Sequence, residues 1–278
     1  MTYQQAYQNC IELFHASGIE DAEPDARLLL QSIIGKNRAY LLAHKDEELT
    51  ERQQQTLELL SEKRAGHVPL QLLLGNTDFM GLEFHVSRDV LIPRIDTEFV
   101  VEEAMRYVED GARVLDLCTG SGCILLSLMK YKNYIEGLGV DISDAALALA
   151  RENAELLGLS QAEFRKSNMF ENVDGVFDYI LCNPPYIQSA VIPTLMDEVR
   201  LHEPHLALDG GTDGLDFYRI LAAESASHLT REGMCFFEIG YDQGEAVKAL
   251  MEEAGYLDIE VLPDYSGKDR VLKCRSPR

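Results

Sequence analysis

Basic residues are scarce in this chain. Its 278 residues include 25 Lys and Arg against 47 Asp and Glu, so the formal net charge is −22. No run of consecutive Lys and Arg is longer than a pair such as Lys63-Arg64. Because Lys and Arg supply most of the affinity for nucleic-acid phosphates, this composition argues against a DNA or RNA substrate. It favours a protein or a small molecule, and a basic protein partner would be attracted by the field.

Other absences narrow the class of protein. No stretch reaches the roughly 18 consecutive apolar residues of a membrane span. The N-terminal segment Met1–Gln5 lacks the basic start and apolar core of a signal peptide. The six cysteines form no Cys-x-x-Cys pair and have no histidines at zinc spacing, which predicts no metal site. We therefore expect a cytoplasmic protein, away from membranes, whose buried thiols stay reduced.

The first 75 residues have the periodicity of helices. Ala6, Cys10 and Phe14 fall on one helical face. A second apolar run stops at Gly35, the expected C-cap of its helix. Thr50–Gln53 has the pattern of a capping box and opens a third helix. These patterns predict a small N-terminal helical domain over residues 1–75.

Strand patterns begin after residue 75. Leu82, Phe84 and Val86 alternate with polar or small residues, which predicts a β-hairpin linker over residues 76–92. A second and larger domain, 93–278, then begins with a capped helix start at Asp96-Thr97-Glu98. Its predicted strands are 113–117, 136–140, 177–182 and 234–239, with weaker ones at 162–165, 258–262 and 270–274. Its predicted helices are 122–130, 144–157, 213–230 and 242–254. This alternation predicts an α/β fold with a mostly parallel, doubly wound sheet, which binds ligands where its strands end.

The first of these strands ends in a run of small residues. The run consists of Asp116, Leu117, Cys118, Thr119, Gly120, Ser121 and Gly122. Small residues let a ligand approach the backbone closely, and the following helix offers free N–H groups. Leu125 stands where a dinucleotide-binding loop needs Gly or Ala, and no Walker Gly-Lys-Ser/Thr is present. An acid followed by such a loop suits the methionine part of S-adenosylmethionine; the alternative is a purely structural tight turn.

Polar side chains also follow the next two strands. Asp141 ends the second, where a carboxylate can accept hydrogen bonds from both ribose hydroxyls. The alternative is an N-cap of the next helix, a role that Ser143 or Asp144 can fill instead. Asn168 and Met169 follow the third strand. We expect them beside adenine, with the amide at the ring edge and the thioether on the ring face.

The fourth strand runs directly into Asn183-Pro184-Pro185-Tyr186. Prolines fix φ and donate no N–H, so this loop presents rigid carbonyl acceptors. Asn183 Oδ1 and the Pro184 carbonyl can accept both hydrogens of a planar NH2 group, and Tyr186 can stack on that flat group. No general base is needed, because the product loses its proton after attack, so catalysis is mainly positioning. The alternative is a Pro-Pro turn that only ends a buried strand.

With these motifs, the chain resembles the HemK/PrmC family of peptide-chain release factor glutamine methyltransferases. The resemblance spans the whole chain and includes Ile92–Glu98, Asp116–Gly122, Asn183–Ile187, Glu203-Pro204, Gly210–Tyr218, Glu238–Gly240 and Gly267–Arg270. It implies a class I S-adenosylmethionine-dependent methyltransferase, with a Rossmann-like seven-stranded sheet and a small N-terminal helical domain that helps hold the substrate. It also implies class I release factors as partners, methylated at N5 of the glutamine in their Gly-Gly-Gln loop.

Three residues depart from the family pattern. Cys118 replaces a usual glycine, so its φ must be negative or strained. Ile95 stands where proline is frequent, and Asn168 where aspartate is frequent. The resemblance also puts Arg94, Asp96, Glu98 and Glu238 near the site. A helix cap with a linker salt bridge explains the first three residues equally well. Their roles stay open.

Other functions compete with this interpretation. The same tetrapeptide serves adenine-N6 methyltransferases of DNA or RNA, which must flip a base and grip phosphates. A glutamine methyltransferase acting on a ribosomal protein would use the same residues. A cofactor-binding adaptor without catalysis would not need Asn183. The acidic charge disfavours the nucleic-acid substrates. Only the whole-chain resemblance favours a release factor over a ribosomal protein as the substrate.

Overall fold

The computed structural model describes residues 1–277, which divide into two compact units. The first comprises Met1–Gly75 together with Met196–His202, and the second comprises Asn76–Leu195 and the chain from Glu203 onward. Within residues 1–277, no helix is long and apolar enough to cross a membrane.

The first unit is helical. Its helices are α1 Tyr3–Ala16, α2 Ala22–Ile34, α3 Arg38–Ala43, α4 Glu51–Ala65, α5 Leu70–Leu74 and α9 Asp197–His202. The expected face of α1 is confirmed, because Ala6, Cys10 and Phe14 are all buried. Gly35 adopts the left-handed conformation after α2, and Thr50 forms a complete capping box with Gln53 at α4. Local sequence signals therefore predict these helix ends well.

A buried cation lies within this unit. Arg64 Nε donates to Asp25 Oδ2 at 2.6 Å, and Arg64 Nη2 lies 2.7 Å from Glu198 Oε1. Arg64 and Asp25 are both buried, and burial raises the pKa of Asp25 even though Arg64 lowers it. The ion pairs hold α2, α4 and α9 together, and the buried carboxyl of Asp25 is not easily left without the guanidinium.

The second unit is built on one seven-stranded sheet. Its strands are β3 Arg113–Leu117, β4 Glu136–Asp141, β5 Glu163–Lys166, β6 Phe177–Cys182, β7 Leu229–Glu238, β8 Leu257–Pro263 and β9 Asp269–Arg275. They lie in the order β5-β4-β3-β6-β7-β9-β8. The pairs from β5 to β7 are parallel, while β9 is antiparallel to β7 and to β8. The predicted mostly parallel sheet is confirmed.

Helices cover both faces of this sheet. They are α6 Glu98–Met105, α7 Cys123–Tyr131, α8 Asp144–Leu156, α10 Asp216–Glu224 and α11 Gly244–Glu253. Alternate strand residues enter opposite cores: Ile180 packs with the α10 and α11 side, and Leu181 with the α6 and α7 side. The hairpin of β1 Asn76–Phe79 and β2 Leu82–His85 adds Phe79 and Phe84 to the second core. The sheet is therefore doubly wound, as predicted.

Two sequence-based predictions were wrong in detail. The single helix over 213–230 is shorter, because α10 is followed by a separate 3-10 turn, Ser225–His228. The capped helix start at Asp96-Thr97-Glu98 is a 3-10 turn, Ile95–Thr97, that runs into α6, and neither has a side-chain capping bond. Thr97 instead bonds to a residue distant in sequence, which no local pattern reveals.

The strand order places the switch point between β3 and β6. The chain moves outward from β3 to β4 and β5, then returns to add β6 on the other side of β3. Leu117 pairs with Cys182 in register, so the loops that begin at Cys118 and Asn183 leave adjacent strand ends. Loops at such a point diverge to opposite sides and leave a crevice between them.

The Arg64 ion pairs predict a large stability effect. We expect Arg64→Met to lower the unfolding free energy of the helical unit by about 3 kcal/mol, because Asp25 loses its buried partner. Urea denaturation followed by circular dichroism measures the change. The control is Arg52→Met on the exposed face of the same helix, which should have little effect. Equal losses in the two variants would contradict this interpretation.

Candidate active site

A single cleft opens at the switch point. Nine of the thirteen predicted site residues line it: Cys118, Thr119, Gly120, Ser121, Asp141, Asn168, Met169, Asn183 and Pro185. The other four, Asp116, Gly122, Pro184 and Tyr186, lie outside the lining. The structure therefore brings together residues from the ends of four adjacent strands. These residues are up to 67 positions apart in the chain, from Cys118 to Pro185.

The cleft has a second wall that sequence reasoning did not assign to the site. Its residues include Val90, Ile92, Arg94, Thr97, Leu206 and Phe217. Val90 and Ile92 are buried apolar side chains, so the wall combines with Ile142 and Met169 to enclose a largely apolar space. The sequence signals for this wall were the segments Ile92–Glu98 and Gly210–Tyr218, which the family resemblance pointed out but periodicity did not.

Asp116 lies beneath the loop rather than in the cleft. Its side chain is fully buried, and Thr119 Oγ1 donates to its Oδ2 at 2.6 Å. Burial raises the pKa of Asp116 to about 7, while hydrogen bonds from Thr119 and the Leu125 backbone lower it. Asp116 therefore fastens the loop to the first turn of α7. Its other oxygen, Oδ1, has no hydrogen-bond partner among residues 1–277.

The loop backbone is left-handed at several positions. Gly120 and Gly122 have φ of +55° and +81°, values that glycine adopts without strain. Cys118 also has a positive φ, +55°. Of the two possibilities that the sequence left open for Cys118, the strained one is therefore the case. Its Sγ lies 3.7 Å from Met169 Sδ, a contact that glycine would lack.

Asp141 joins two loops of the cleft. Its Oδ2 accepts from the Gly120 backbone N–H at 3.0 Å, and its Oδ1 accepts from that of Ser143 at 2.9 Å. Ser143 itself caps α8 by accepting from the Ala146 N–H, so Asp141 is not the helix cap. Burial raises the pKa of Asp141, and the backbone N–H groups of Ser143 and Gly120 lower it. Each carboxylate oxygen retains lone pairs that can accept from a ligand hydroxyl.

Asn168 and Met169 lie at the far side of the cleft. Asn168 Nδ2 donates to Glu171 Oε1 at 2.8 Å, which leaves its Oδ1 as an acceptor. Met169 is buried and has a φ of +49°, so its thioether is directed by a second left-handed turn. The pair thus offers one polar acceptor beside a soft apolar surface.

Asn183 is held by Thr97. Asn183 Nδ2 donates to Thr97 Oγ1 at 3.0 Å, across 86 positions of the sequence. Thr97 is buried, whereas Asn183 is half-buried and lines the cleft. This bond occupies the amide nitrogen, so the carbonyl oxygen is the atom of the side chain that can accept a hydrogen bond from a substrate.

Tyr186 is anchored away from the cleft. Its hydroxyl donates to Glu238 Oε1 at 3.1 Å, and its carbonyl accepts from Gln243 Nε2 at 3.0 Å. Gly210 lies against it so closely that a Cβ there would be 2.7 Å from Tyr186 Cα, which only glycine allows. Burial and the charge of Glu238 raise the pKa of Tyr186, so its hydroxyl keeps the proton that it donates.

Glu238 ends β7 next to Asn183, because Phe237 pairs with Cys182. It is 2% exposed. Burial raises the pKa of Glu238 to about 7, against hydrogen bonds from Thr97 and Tyr186 and the charge of Arg270. Its Oε2 has no donor in good hydrogen-bonding geometry among the described residues. A buried carboxyl of this kind marks a functional region more often than a structural one.

The charged residues of the segment Arg94–Glu98 each contact a different part of the structure. Arg94 forms an ion pair with Glu203 and lines the cleft. Asp96 Oδ2 lies 3.0 Å from Arg270 Nη2, which connects this turn to β9. Glu98 Oε1 accepts from the Met80 backbone N–H at 2.5 Å, which connects α6 to the hairpin. Asp96 and Glu98 therefore support the wall of the cleft through their contacts.

Sequence comparisons identify the relatives of this chain. Residues 5–75 match the PrmC N-terminal domain, and residues 94–210 match the methyltransferase small domain. A release factor glutamine methyltransferase of Cereibacter sphaeroides is 41% identical over 278 residues, which cover 100% of this chain and 99% of that protein. One from Moorella thermoacetica is 41% identical over 275 residues, covering 97% of each.

The chain belongs to the release factor glutamine methyltransferase family. Solved structures support the fold of this family. A methyltransferase from Pyrococcus furiosus superposes with a TM-score of 0.55 at 18% identity, over 82% of this chain and 100% of that one. A ribosomal RNA methyltransferase of T. thermophilus, solved with AdoMet and guanosine, has a TM-score of 0.51 at 19% identity, over 72% and 49% of the two chains. The predicted class I methyltransferase fold is confirmed.

The positive φ of Cys118 predicts that glycine is better tolerated there. We expect Cys118→Gly to raise the unfolding free energy by about 1 kcal/mol, because glycine removes the backbone strain of a left-handed residue. Chemical denaturation measures the difference. Cys118→Ala is the control, since it keeps the strain and removes the thiol contact with Met169. If alanine stabilises as much as glycine, backbone strain at Cys118 contributes nothing.

The two buried carboxyls predict a dependence of stability on pH. In the unfolded chain such carboxyls have a pKa near 4, whereas Asp116 and Glu238 titrate at about 7 in the folded protein. The folded state therefore binds more protons between these values, and the unfolding free energy falls as pH rises from about 4 to about 7. We expect the melting temperature to fall less steeply between pH 5 and 8 in Asp116→Asn than in the wild type. A variant of the exposed Asp46, Asp46→Asn, should keep the wild-type slope; identical slopes in all three proteins would contradict the assignment.

Proposed function

We propose that this chain transfers a methyl group from S-adenosylmethionine to the N5 amide nitrogen of the glutamine in the Gly-Gly-Gln loop of class I release factors, in the cytoplasm. One observation carries the proposal: Asn183-Pro184-Pro185-Tyr186 begins at the switch point, in a chain about 40% identical to release factor glutamine methyltransferases over nearly its full length. The family relationship supports the substrate, and the site supports the chemistry.

The chemistry of the cleft fits S-adenosylmethionine. The loop from Cys118 to Gly122 and the first turn of α7 would hold the methionine part, through backbone N–H groups at a helix N-terminus. Asp141 would accept the ribose hydroxyls, since both of its oxygens have remaining lone pairs. Asn168 Oδ1 and the Met169 thioether would contact adenine at its edge and face. No group of three or more His, Cys, Asp or Glu arranged for a metal occurs within residues 1–277, and we propose no metal cofactor.

Asp116 and Gly122 act on the cofactor loop from below. Asp116 fixes the conformation of Thr119, and Gly122 allows the turn into α7 through its φ of +81°. We propose that both residues preserve the shape of the binding loop, whereas the cleft-lining residues of the loop contact the ligand. Cys118 adds a thiol beside Met169 at a position where a side chain is costly.

The residues of the tetrapeptide would orient the substrate amide. Asn183 Oδ1 and the Pro184 carbonyl would accept its two hydrogens and hold its nitrogen toward the cofactor side of the cleft. Pro184 is outside the cleft lining, so its carbonyl would have to be reached between Asn183 and Pro185, which line it. S-adenosylmethionine, when bound, supplies an electrophilic methyl group. Positioning of this kind can contribute on the order of 7–11 kcal/mol to a barrier, and no general base is required. Pro185 lines the cleft beside them, and the anchored Tyr186 keeps the loop in place for the flat substrate group.

The main test is transfer of a labelled methyl group. Purified release factor should accept label from S-adenosylmethionine, and release factor with Gln→Ala in its Gly-Gly-Gln loop should accept none. A ribosomal protein and DNA are included as alternative acceptors, because the tetrapeptide can orient their amide or amine groups equally well. Label on either of these, with none on release factor, would refute the proposed substrate.

A variant of the tetrapeptide tests catalysis itself. Asn183→Ala should lower the rate by about 100-fold or more, because one preorganised acceptor is lost. Asn133→Ala is the control, since Asn133 is exposed and its side chain bonds only to Asp110 among the described residues. Full methyl transfer by Asn183→Ala would instead favour a cofactor-binding role in which this side chain is dispensable.

A further inference from the structure

The orientation of the Asn183 amide decides what this site can bind. An amide side chain has a donor end and an acceptor end of nearly the same shape, and rotation by half a turn exchanges them. With Oδ1 in the cleft, Asn183 accepts from an NH2 group. With Nδ2 in the cleft, it would repel that group and attract a carboxylate. Some feature of the protein must therefore select one orientation.

Thr97 is the residue in contact with the other end of the amide. It is 2% exposed, and its Oγ1 lies 3.0 Å from Asn183 Nδ2. A hydroxyl has one hydrogen and can either donate or accept, so Thr97 alone does not select an orientation. The choice depends on where the single hydrogen of Thr97 goes. Its side chain makes no capping bond to α6, so its lone pairs are not used by the helix and remain available to Asn183.

Glu238 is the acceptor that lies beside the Thr97 hydroxyl. It ends the strand next to the one that leads into Asn183, and its carboxyl is buried beside the Thr97 hydroxyl. Tyr186 donates to Glu238 Oε1, whereas Oε2 lacks any donor in good geometry among residues 1–277. An ionised carboxylate only accepts hydrogen bonds. The hydroxyl hydrogen of Thr97, which lies beside this carboxyl, can serve it.

These contacts define one consistent direction of donation. With its hydrogen turned to Glu238, Thr97 directs its lone pairs at Asn183 and accepts only from Nδ2. A flipped amide would place Oδ1 against a hydroxyl oxygen whose hydrogen is already used, with two acceptors 3.0 Å apart. Burial of both Thr97 and Glu238 prevents water from relieving that repulsion.

We propose that Thr97 and Glu238 are positioning residues that fix the Asn183 amide with its oxygen toward the substrate, and so make the site specific for an NH2 group over the isosteric carboxylate. This inference rests on the proposed function. It also accounts for an otherwise costly feature, since a fully buried carboxyl is retained where a neutral side chain would be easier to bury. Glu238 is then needed because its ionised form cannot donate, and at pH 8 this form predominates over the protonated one.

Two substitutions separate the direction of donation from simple packing. Thr97→Val keeps the shape of the side chain and removes the hydroxyl. Glu238→Gln keeps an oxygen for Tyr186 but offers an NH2 group to Thr97, whose hydrogen can then turn to Asn183 Oδ1. We expect each to lower kcat for methyl transfer to release factor by about 10–100-fold at pH 8, with KM for S-adenosylmethionine within about twofold. Thr97→Ser should recover most of the lost rate.

Discrimination between glutamine and glutamate gives a second readout. Calorimetry compares the binding of wild-type release factor with that of its Gln→Glu variant. The wild-type enzyme should strongly prefer glutamine, and the preference should shrink about tenfold or more in Thr97→Val and Glu238→Gln, because the amide can present its NH2 end. Thr230→Val is the matched control: Thr230 Oγ1 also donates to a carboxyl, that of Asp178, at 3.2 Å. It should change neither kcat nor the preference.

A structural readout keeps this inference separate from the proposed function. The side-chain NH2 signals of Asn183, assigned by their loss in Asn183→Asp, report the bond to Thr97 in nitrogen-15 NMR spectra without any substrate. They should shift in Thr97→Val and Glu238→Gln, and not in Thr230→Val. A wild-type enzyme that fails to label release factor would refute the proposed function alone. Unchanged Asn183 signals, or an unchanged preference with full kcat in folded Thr97→Val, would overturn the inference.

Discussion

Parallel pairing of β3 with β6 is the constraint on which the rest of this site depends. Hydrogen bonds between the two strands put Leu117 beside Cys182, so the cofactor loop and the tetrapeptide must begin side by side. A shift of the register by one residue would turn every core side chain of β6 to the wrong face. The alternation of Ile180 and Leu181 between two separate cores makes such a shift prohibitive. Hydrophobic burial thus fixes the alignment of the reacting groups.

Two carboxyl groups lie near the site at positions where burial destabilises their ionised form. Asp116 fastens the cofactor loop from beneath, and Glu238 underlies the tetrapeptide through Tyr186 and Thr97. Both titrate at about 7, so both reduce stability at neutral pH relative to acidic pH. Asp116 accepts from the hydroxyl of Thr119, and we propose that Glu238 orients that of Thr97 in the same way. Local stability is exchanged for a defined direction of hydrogen bonding, as is common at functional sites.

The sequence predicted the site correctly where the functional residues are consecutive in the chain. The loop that begins at Cys118 and the tetrapeptide at Asn183 each follow a strand directly, so strand prediction alone locates them at one sheet edge. It failed for Thr97, which was interpreted as a helix cap. A threonine before a helix is locally identical whether its hydroxyl bonds to the next turn or to a residue 86 positions away. Only the contact with Asn183, which follows the end of β6, distinguishes these two cases.

The sequence by itself determined the fold class, the helix ends at Gly35 and Thr50, and the chemical character of the tetrapeptide, because these depend on local periodicity and on neighbouring residue types. It also indicated the family, through a resemblance of motifs over the whole chain. Tertiary structure alone decided that Cys118 is strained, that Asp116 lies under the loop, and which end of Asn183 faces the cleft. Burial, backbone angle and hydrogen-bond direction depend on residues from distant parts of the chain that packing brings together. No local pattern encodes those contacts.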